Sequence, residues 1–202
     1  MAGLSLLDVV SGHVLEAAPR LLGARFTHGG VTVRLTEVEA YEGQGVDPGS
    51  HAHRGRTPRN ATMFGPAGHL YAYFTYGMHT CANLVCLPPG LAGGVLLRAG
   101  EVVGGEALAA QRRGGVEPRR LARGPANLAS ALGILLADDG ADLLGGGAFS
   151  LALVADPRTV VAGPRVGVSG EGGTDAFPWR FSLAGEPTVS AYRAATRRVR
   201  SG

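Results

Sequence analysis

The sequence predicts a mixed α/β fold in a single domain, residues 1–202. Its 202 residues suit one compact domain. Hydrophobic residues make up 45% of the chain and charged residues only 17%, which excludes a disordered chain and allows a sizeable core. The 33 glycines and 12 prolines predict many turns and short strands rather than long helices.

The first half of the chain is predicted to combine short helical pieces with two β-hairpins. Apolar residues recur at helical spacing over 5–22. Alternating runs at 24–28 and 31–41 flank Gly29-Gly30, and two residues between such runs are typical of a hairpin turn. The chain then continues with a polar loop at 42–62 and a second hairpin, made of strands 69–76 and 78–87 around Gly77.

The second half is predicted to add four strands and further helices. In chain order we predict a strand at 94–99, helices at 101–112 and 126–137, a Gly- and Asp-rich loop at 138–148, strands at 149–154, 159–168 and 179–184, and a short helix at 190–200. No leader peptide pattern begins the chain, and no stretch approaches the length of a membrane span. We therefore expect a cytoplasmic protein with no membrane partner.

The basic residues are unusual because all 19 are arginine. The net charge of +3 permits a polyanionic partner but does not require one. Arginine offers a planar fork of donors that suits phosphate. The absence of lysine also has a chemical consequence, since no lysine side chain is available to form a Schiff base.

Two carboxylates lie near the end of the predicted strand 31–41. Regular alternation places six side chains on one face: Val31, Val33, Leu35, Glu37, Glu39 and Tyr41. A buried carboxylate in such a position has a pKa that can be adjusted for general-base work. The alternative is a strand end that reaches solvent, with both glutamates solvated.

Arg98 favours the buried interpretation, because it lies within the otherwise apolar run GVLLRA (94–99). A buried arginine needs an anionic partner, and Glu37 and Glu39 are the obvious candidates. An arginine beside a glutamate keeps the carboxylate ionised and can also hold a water. A purely structural ion pair is the competing interpretation.

The second hairpin carries three of the five tyrosines, namely Tyr71, Tyr73 and Tyr76. Tyr76 falls at the predicted tip, where an exposed aromatic ring could insert as a wedge between base steps. Tyr73 falls on the opposite face, where it could line a pocket. We expect Tyr71 to pack in the core.

The polar loop has a basic stretch in which Arg54, Arg56 and Arg59 could contact phosphates. Asp47, His51 and His53 could instead suggest a metal site, although their spacing matches no zinc template. The two cysteines, Cys81 and Cys86, fit neither a disulfide framework nor a zinc site. We therefore expect neither a metal nor a cofactor.

Several runs of sequence together resemble the alkyladenine (3-methyladenine) DNA glycosylase family. They follow one another over nearly the whole chain: VEAYEG (38–43), DPGSHAHRGRTPRNATMFGPAGHLYAYFTYGMHTCANLV (47–85), VLLRAG (95–100), GPANLA (124–129), RVGV (165–168) and PWRF (178–181). The resemblance implies a single mixed α/β domain with a curved, mainly antiparallel sheet, flanking helices and a protruding β-hairpin.

The resemblance also implies roles for particular residues. Glu39 matches the general base, and Arg98 and the main-chain carbonyl of Val166 match the groups that hold its water. Four residues match the pocket of the flipped base: Tyr41, His51, Tyr73 and Asn83. Six match the groups that insert into DNA or contact it: Tyr76, Met78, Cys81, Arg56, Thr57 and Arg59.

The function implied is excision of damaged purines from double-stranded DNA. We expect a monomer, because nothing in the sequence requires a larger assembly. Because lysine is absent, we expect hydrolysis by water alone, with an abasic site in an unbroken strand as the product. Two alternatives stay open at this point. One is a non-catalytic protein that binds damaged DNA, and the other is a metal-dependent hydrolase built on Asp47, His51 and His53.

Overall fold

The computed structural model describes residues 5–75, 79–154 and 158–195 as a mixed α/β structure around an antiparallel sheet, which confirms the predicted fold class. The strands described are β1 (Arg25–His28), β2 (Val31–Tyr41), β3 (Leu70–Thr75), β4 (His79–Val85), β5 (Gly94–Gly104), β6 (Phe149–Ala152), β7 (Val160–Gly163) and β8 (Arg180–Leu183). The α-helices described are α1 (Leu6–Val10), α2 (Val14–Arg20), α3 (Glu106–Arg112) and α4 (Pro125–Leu132).

Strand β2 is central to the sheet because its neighbour changes along its length. Its first half pairs with β1 and its second half with β8, while β5 runs along its other edge. The order along the main path is β3-β4-β5-β2-β1-β6, and β7 lies beside β8. The curled sheet therefore brings segments from the middle and from near the end of the chain to the second half of β2.

The helices pack against the sheet and enclose the main hydrophobic core. Helix α2 contacts β2, and α4 contacts β4 and β5. Phe26 and Leu35 from the sheet, and Leu128 and Leu132 from α4, have no exposed surface. Burial of each such side chain contributes about 1.5–3 kcal/mol. Within the described part of the chain, no helix is long and apolar enough to cross a membrane.

The predicted helix 101–112 is wrong in its first third. Strand β5 continues to Gly104, and α3 begins only at Glu106. The strand continues because Val102 pairs with β2 and because the Arg34 guanidinium bonds to Glu101 at 2.9 Å. The chain then turns at Gly105, where a Cβ atom would collide with the backbone of the neighbouring hairpin turn.

Other predicted elements are shorter in the structure. The predicted helix 126–137 divides into α4 and a 3₁₀ turn, Leu136–Asp138. The predicted strand 159–168 ends at Gly163, because Pro164 follows and has no N–H to donate to a ladder. Within the predicted loop 42–62, a 3₁₀ segment begins at Pro58. The predicted helix 190–200 is absent over 190–195, and its remainder lies outside the described residues.

Candidate active site

A cavity of 520 Å³ lies beside the second half of β2, in the size range of small-molecule sites. It collects eight of the residues that the sequence assigned to the site: Glu39, Tyr41, His51, Tyr73, Cys81, Asn83, Arg98 and Val166. These residues come from β2, β3, β4, β5, the loop after β2 and the segment after β7. The cavity therefore depends on the long-range pairing of the sheet.

A β-bulge directs the carboxylates towards this cavity. The register between β2 and β5 skips Thr36 on one strand and Arg98 on the other. An extra residue in a strand moves the later side chains to the opposite face. The core residues of β2 accordingly switch from odd to even numbers: Val31, Val33 and Leu35 before the bulge, and Val38 and Ala40 after it.

Glu39 and Tyr41 therefore lie on the opposite face of β2 from Leu35. The prediction that they share one face was wrong, because it assumed regular alternation along all of strand 31–41. Because of the bulge, the first half of β2 directs its odd-numbered side chains into the main core, and the second half directs Glu39 and Tyr41 into the cavity wall.

Glu39 has no exposed surface, and its two oxygens accept from different donors. The main-chain N–H of Val166 donates to Oε1 at 2.7 Å, and the Tyr41 hydroxyl donates to Oε2 at 2.9 Å. The Nε of Arg98 lies 3.5 Å from Oε1. The described contact of Val166 uses its N–H, so the role expected for its carbonyl stays a prediction.

Burial raises the pKa of Glu39 above its ordinary value, because the charged form loses its hydration. The charge of Arg98 and the hydrogen bonds from Val166 and Tyr41 act in the opposite direction, and the charge of Glu37 adds to the rise. A carboxylate with a raised pKa is a stronger base in its ionised form, as general-base chemistry requires.

Glu37 is also fully buried, but donors saturate its carboxylate. Its Oε1 accepts from Nε of Arg98 at 2.8 Å, from Nε of Arg180 at 2.6 Å and from the Ser190 hydroxyl at 3.0 Å. Its Oε2 accepts from the Ser190 N–H at 2.7 Å. Arg98 thus bonds directly to Glu37 and only approaches Glu39, so Glu37 holds the arginine beside the cavity.

A cluster of rings forms part of the cavity wall. The rings of His51 and Tyr73 meet edge to face at 4.7 Å, and Tyr71 and Tyr73 stack at 5.4 Å. Nδ1 of His51 lies 3.3 Å from the Tyr71 hydroxyl. His51 keeps exposed surface, but the partial desolvation of its ring, together with the charge of Arg59, lowers its pKa, which favours a neutral ring. Tyr71 is buried as predicted, but it also lines the cavity.

Two side chains of β4 also line the cavity. The Asn83 side-chain amide donates to the Tyr71 carbonyl at 3.1 Å, which fixes the orientation of a buried polar group. Cys81 pairs with Tyr73 across the hairpin and is 2% exposed, so it faces the cavity rather than the outer surface of the hairpin. Burial raises the pKa of its thiol to about 11.

The residues of the polar loop that are predicted to contact DNA are not among those that line the cavity. Arg56 and Thr57 are exposed, and the Thr57 N–H donates to the Asn60 side chain at 2.6 Å. The Arg59 guanidinium donates to the Phe74 carbonyl at 3.0 Å, near the end of β3. Contacts of these three residues with DNA stay predictions. Tyr76 and Met78 lie outside the described residues.

Sequence reasoning gave no role to Arg165, which is the largest fully buried side chain described. Its guanidinium binds both carboxylate oxygens of Asp47 at 2.6 Å and lies 4.5 Å from the centre of the Tyr41 ring. A signal was present in the run RVGV (165–168), but its partner lies 118 residues away in the sequence.

The same ion pair bears on the alternative of a metal site built on Asp47, His51 and His53. Besides Arg165, the oxygens of Asp47 accept the N–H groups of Glu42 at 3.1 Å and Gly49 at 2.8 Å. Asp47 therefore has both oxygens engaged. Among the described residues, no group of three His, Cys, Asp or Glu side chains is arranged to hold a metal ion.

Comparisons with known proteins agree with the geometry. A family model described as "Methylpurine-DNA glycosylase (MPG)" matches residues 8–187. A "Putative 3-methyladenine DNA glycosylase" of Leifsonia xyli subsp. xyli is 60% identical, over 92% of this chain and 91% of its own. Proteins of the same name from Streptomyces avermitilis and Cutibacterium acnes are 53% and 50% identical, over 93% and 91% of this chain and 91% and 98% of their own.

Proposed function

The chain belongs to the methylpurine-DNA glycosylase family, and from that premise we propose that it excises alkylated and otherwise damaged purines from double-stranded DNA. The proposed reaction is hydrolysis of the N-glycosidic bond by a water molecule that Glu39 activates. The enzyme is proposed to act as a single-domain monomer in the cytoplasm, without a cofactor.

The surroundings of Glu39 carry this proposal. A fully buried carboxylate is costly unless hydrogen bonds and charges compensate it. Glu39 receives two hydrogen bonds and lies near Arg98, yet its pKa is still raised and it borders a cavity. Such an arrangement has little value for stability and is typical of a group that exchanges protons with a bound molecule.

In the proposed step, the water oxygen bonds to C1′ while the bond from C1′ to the base nitrogen breaks. The electron pair of that bond leaves with the base, and Glu39 takes a proton from the water. A base that is cationic through alkylation leaves as a neutral molecule, so no strong general acid is needed. The negative charge of Glu39 also stabilises positive charge that develops on the sugar.

The base must leave the helical stack to reach Glu39. We propose that Tyr41, His51 and Tyr73 enclose the flipped base and that the Asn83 side chain screens its exocyclic group. Aromatic rings favour a cationic base through cation–π attraction, about 0.5–2 kcal/mol. A neutral His51, expected from its lowered pKa, avoids repulsion of that base.

On the DNA side, we propose that Tyr76 fills the gap left by the flipped nucleotide, with Met78 beside it. Stacking on an aromatic ring contributes about 1–3 kcal/mol per base. Arg56, Thr57 and Arg59 are proposed to contact the DNA backbone, which positions the protein without reading sequence.

The enzyme is proposed to be monofunctional. Cleavage of the strand by a glycosylase proceeds through a Schiff base on an amine, and this chain has no lysine, so only the N-terminal amine remains. We expect an abasic product in an intact strand until alkali is added. Trapping of a covalent protein–DNA adduct with borohydride would contradict this proposal.

The experiment that tests the function is single-turnover base release from a panel of duplexes, each carrying one methylated, deaminated or etheno purine. Wild-type protein, Glu39→Gln and the exposed control Glu117→Gln are compared. We expect release by the wild type and the control, and none above background by Glu39→Gln.

The same panel separates the alternatives. A non-catalytic protein that binds damaged DNA would bind the lesions but release no base in any variant. A metal-dependent hydrolase would lose activity in excess EDTA, whereas the proposed reaction continues at an unchanged rate.

A further inference from the structure

Arg165 occupies an unusual position behind the cavity wall, with no exposed surface. Its guanidinium donates five hydrogen bonds. Two reach Asp47 at 2.6 Å, one reaches the Ala40 carbonyl at 2.9 Å, and two reach the Gly172 carbonyl at 2.8 and 3.2 Å. Arginine has five N–H groups in a fixed fork, so this side chain is fully engaged.

The segments that contain Asp47 and Arg165 both line the cavity. The loop after β2 contributes Pro48 and Gly49, and residues 166–169 contribute another part of the wall. The packing between them is close, because a Cβ atom on Gly49 would lie 2.5 Å from the Arg165 guanidinium. Arg165 and Asp47 therefore join two walls that are far apart in the sequence.

The donors to Glu39 adjoin the same guanidinium. Val166, whose N–H bonds to Glu39, is the next residue in the chain. Tyr41, whose hydroxyl bonds to the other oxygen, has its ring 4.5 Å from the guanidinium carbon. Ala40, which accepts a hydrogen bond from Arg165, lies between Glu39 and Tyr41 in the chain.

A buried ion pair is weak evidence for stability, because the desolvation of both charges offsets their attraction. A role in holding one particular geometry explains it better. We propose that Arg165, anchored by Asp47, is a positioning residue that holds the Val166 N–H and the Tyr41 hydroxyl on the carboxylate of Glu39. The proposal rests on the proposed function, since it concerns the same carboxylate.

The pH dependence of the reaction is expected to reflect this positioning. The Val166 and Tyr41 hydrogen bonds both lower the pKa of Glu39 against the effect of burial. If the donors move away, the charged form loses support and the pKa rises further. The charged and titratable groups that surround Glu39 come from β2, β3, β4, β5 and the segment after β7: Glu37, Tyr41, Tyr73, Cys81, Arg98 and Arg165.

The test is the pH profile of single-turnover base release. Arg165→Lys keeps the charge but cannot reproduce the five-donor fork. We expect release at pH 7 to fall by about tenfold or more, with the acid limb displaced to higher pH. Tyr41→Phe keeps the ring and removes one donor, so a smaller displacement in the same direction is expected.

The control is Arg112→Lys, which alters a partly buried arginine away from the cavity that bonds to the carbonyls of Gly29 and Ala131. It is expected to lower the melting temperature without moving the acid limb. A folded Arg165→Lys variant whose rate is unchanged, or is reduced equally at every pH, would overturn the proposal. If Arg165→Lys does not fold, Tyr41→Phe takes its place in the test. An acid limb that stays at the wild-type pH in Tyr41→Phe would then overturn the proposal.

A readout without DNA separates this proposal from the proposed function. In each background, the melting temperature is compared with that of the same protein carrying Glu39→Gln, from pH 4 to pH 9. The difference between the two curves starts near the unfolded-state pKa of glutamate in both backgrounds and levels off near the folded-state pKa of Glu39. The positioning role predicts that in Arg165→Lys the difference levels off at a higher pH, and at a larger value, than in the wild type. This result is expected even if the wild type releases no base, and differences that level off at the same pH would overturn the proposal.

Discussion

Glu37 and Glu39 lie two residues apart on β2, and neither has exposed surface. Their surroundings nevertheless differ. Glu37 is held by Arg98, Arg180 and Ser190 through short hydrogen bonds to side chains and backbone. Among the described residues, Glu39 accepts one hydrogen bond at each oxygen, and it has a cation at 3.5 Å and a cavity beside it.

The difference shows how one strand supplies both structure and chemistry. Where donors saturate a buried carboxylate, the charge is a fixed part of the fold. Where support is incomplete and a cavity adjoins, the protein holds a group whose charged form is disfavoured, and a reaction can use that property. Arg98 connects the two sites, because it bonds to one glutamate and approaches the other.

The largest effect on folding is expected from Glu37→Gln. The change leaves Arg98 and Arg180 without their shared anionic partner in a buried place, which costs about 3–5 kcal/mol. Thermal and urea unfolding measure this loss, and for a chain of this size each kcal/mol lowers Tm by about 2–4 °C. A loss of stability below about 1 kcal/mol would show that the ion pairs of Glu37 are not a structural part of the fold.

Arg98→Met tests the connection between the two glutamates. Glu37 keeps Arg180 and Ser190, while Glu39 loses its nearest cation, so the pKa of Glu39 is expected to rise further. Base release at pH 7 should fall by about tenfold or more, and the acid limb should move to higher pH. An unmoved limb in the folded variant would show that Arg98 does not support the charge of Glu39.

The fold class and most strands were predictable because they depend on local rules. Period-two patterns and Gly-Gly or Tyr-Gly turns mark the two hairpins, and the apolar run 94–99 marks β5. The bulge at Thr36 was not predictable from alternation, since nothing in a period-two pattern records a skipped partner. The continuation of β5 through Glu101–Gly104 likewise depends on Arg34, 67 residues earlier in the chain.

The site was predictable to a different degree. Glu39 and Arg98 emerged from residue patterns, while His51, Asn83 and Val166 needed the resemblance. The pairing of Arg165 with Asp47 escaped both, because an arginine in RVGV carries no local sign of its partner and Asp47 suggested a metal ligand instead. Only the folded chain brings them together, at 2.6 Å.

A moderate effect on stability is expected from Glu39→Gln, with a sign opposite to that of Glu37→Gln. A raised pKa means that Glu39 favours the folded state when protonated, and this contribution is lost as pH rises through the folded-state pKa. The introduced amide does not titrate, and its oxygen can accept from Val166 while the Tyr41 hydroxyl turns to accept from its N–H. Above that pKa the variant should have the higher Tm, and the difference should vanish near the ordinary glutamate value of about 4.3.

Unfolding scans of both proteins from pH 4 to pH 9 measure this difference. A variant that is less stable than the wild type at every pH would show that the charge of Glu39 is not disfavoured in the folded state.

The smallest effect is expected at the cysteines. Burial raises the pKa of Cys81 to about 11 and that of Cys86 to about 12, so both remain thiols at pH 8. Iodoacetamide at pH 8 should modify the folded protein slowly and leave early base release unchanged. Mass spectrometry measures the modification. Rapid modification of Cys81 would show that its thiol is accessible to solvent through the cavity.

The most direct test of the central claim is single-turnover base release by Glu39→Gln, measured together with its affinity for lesion-bearing DNA. A general base contributes about 10²–10⁴-fold to the rate, so we predict a loss of that size or more with affinity close to that of the wild type. Release by Glu39→Gln at a near wild-type rate would contradict the account, because another group would then activate the water.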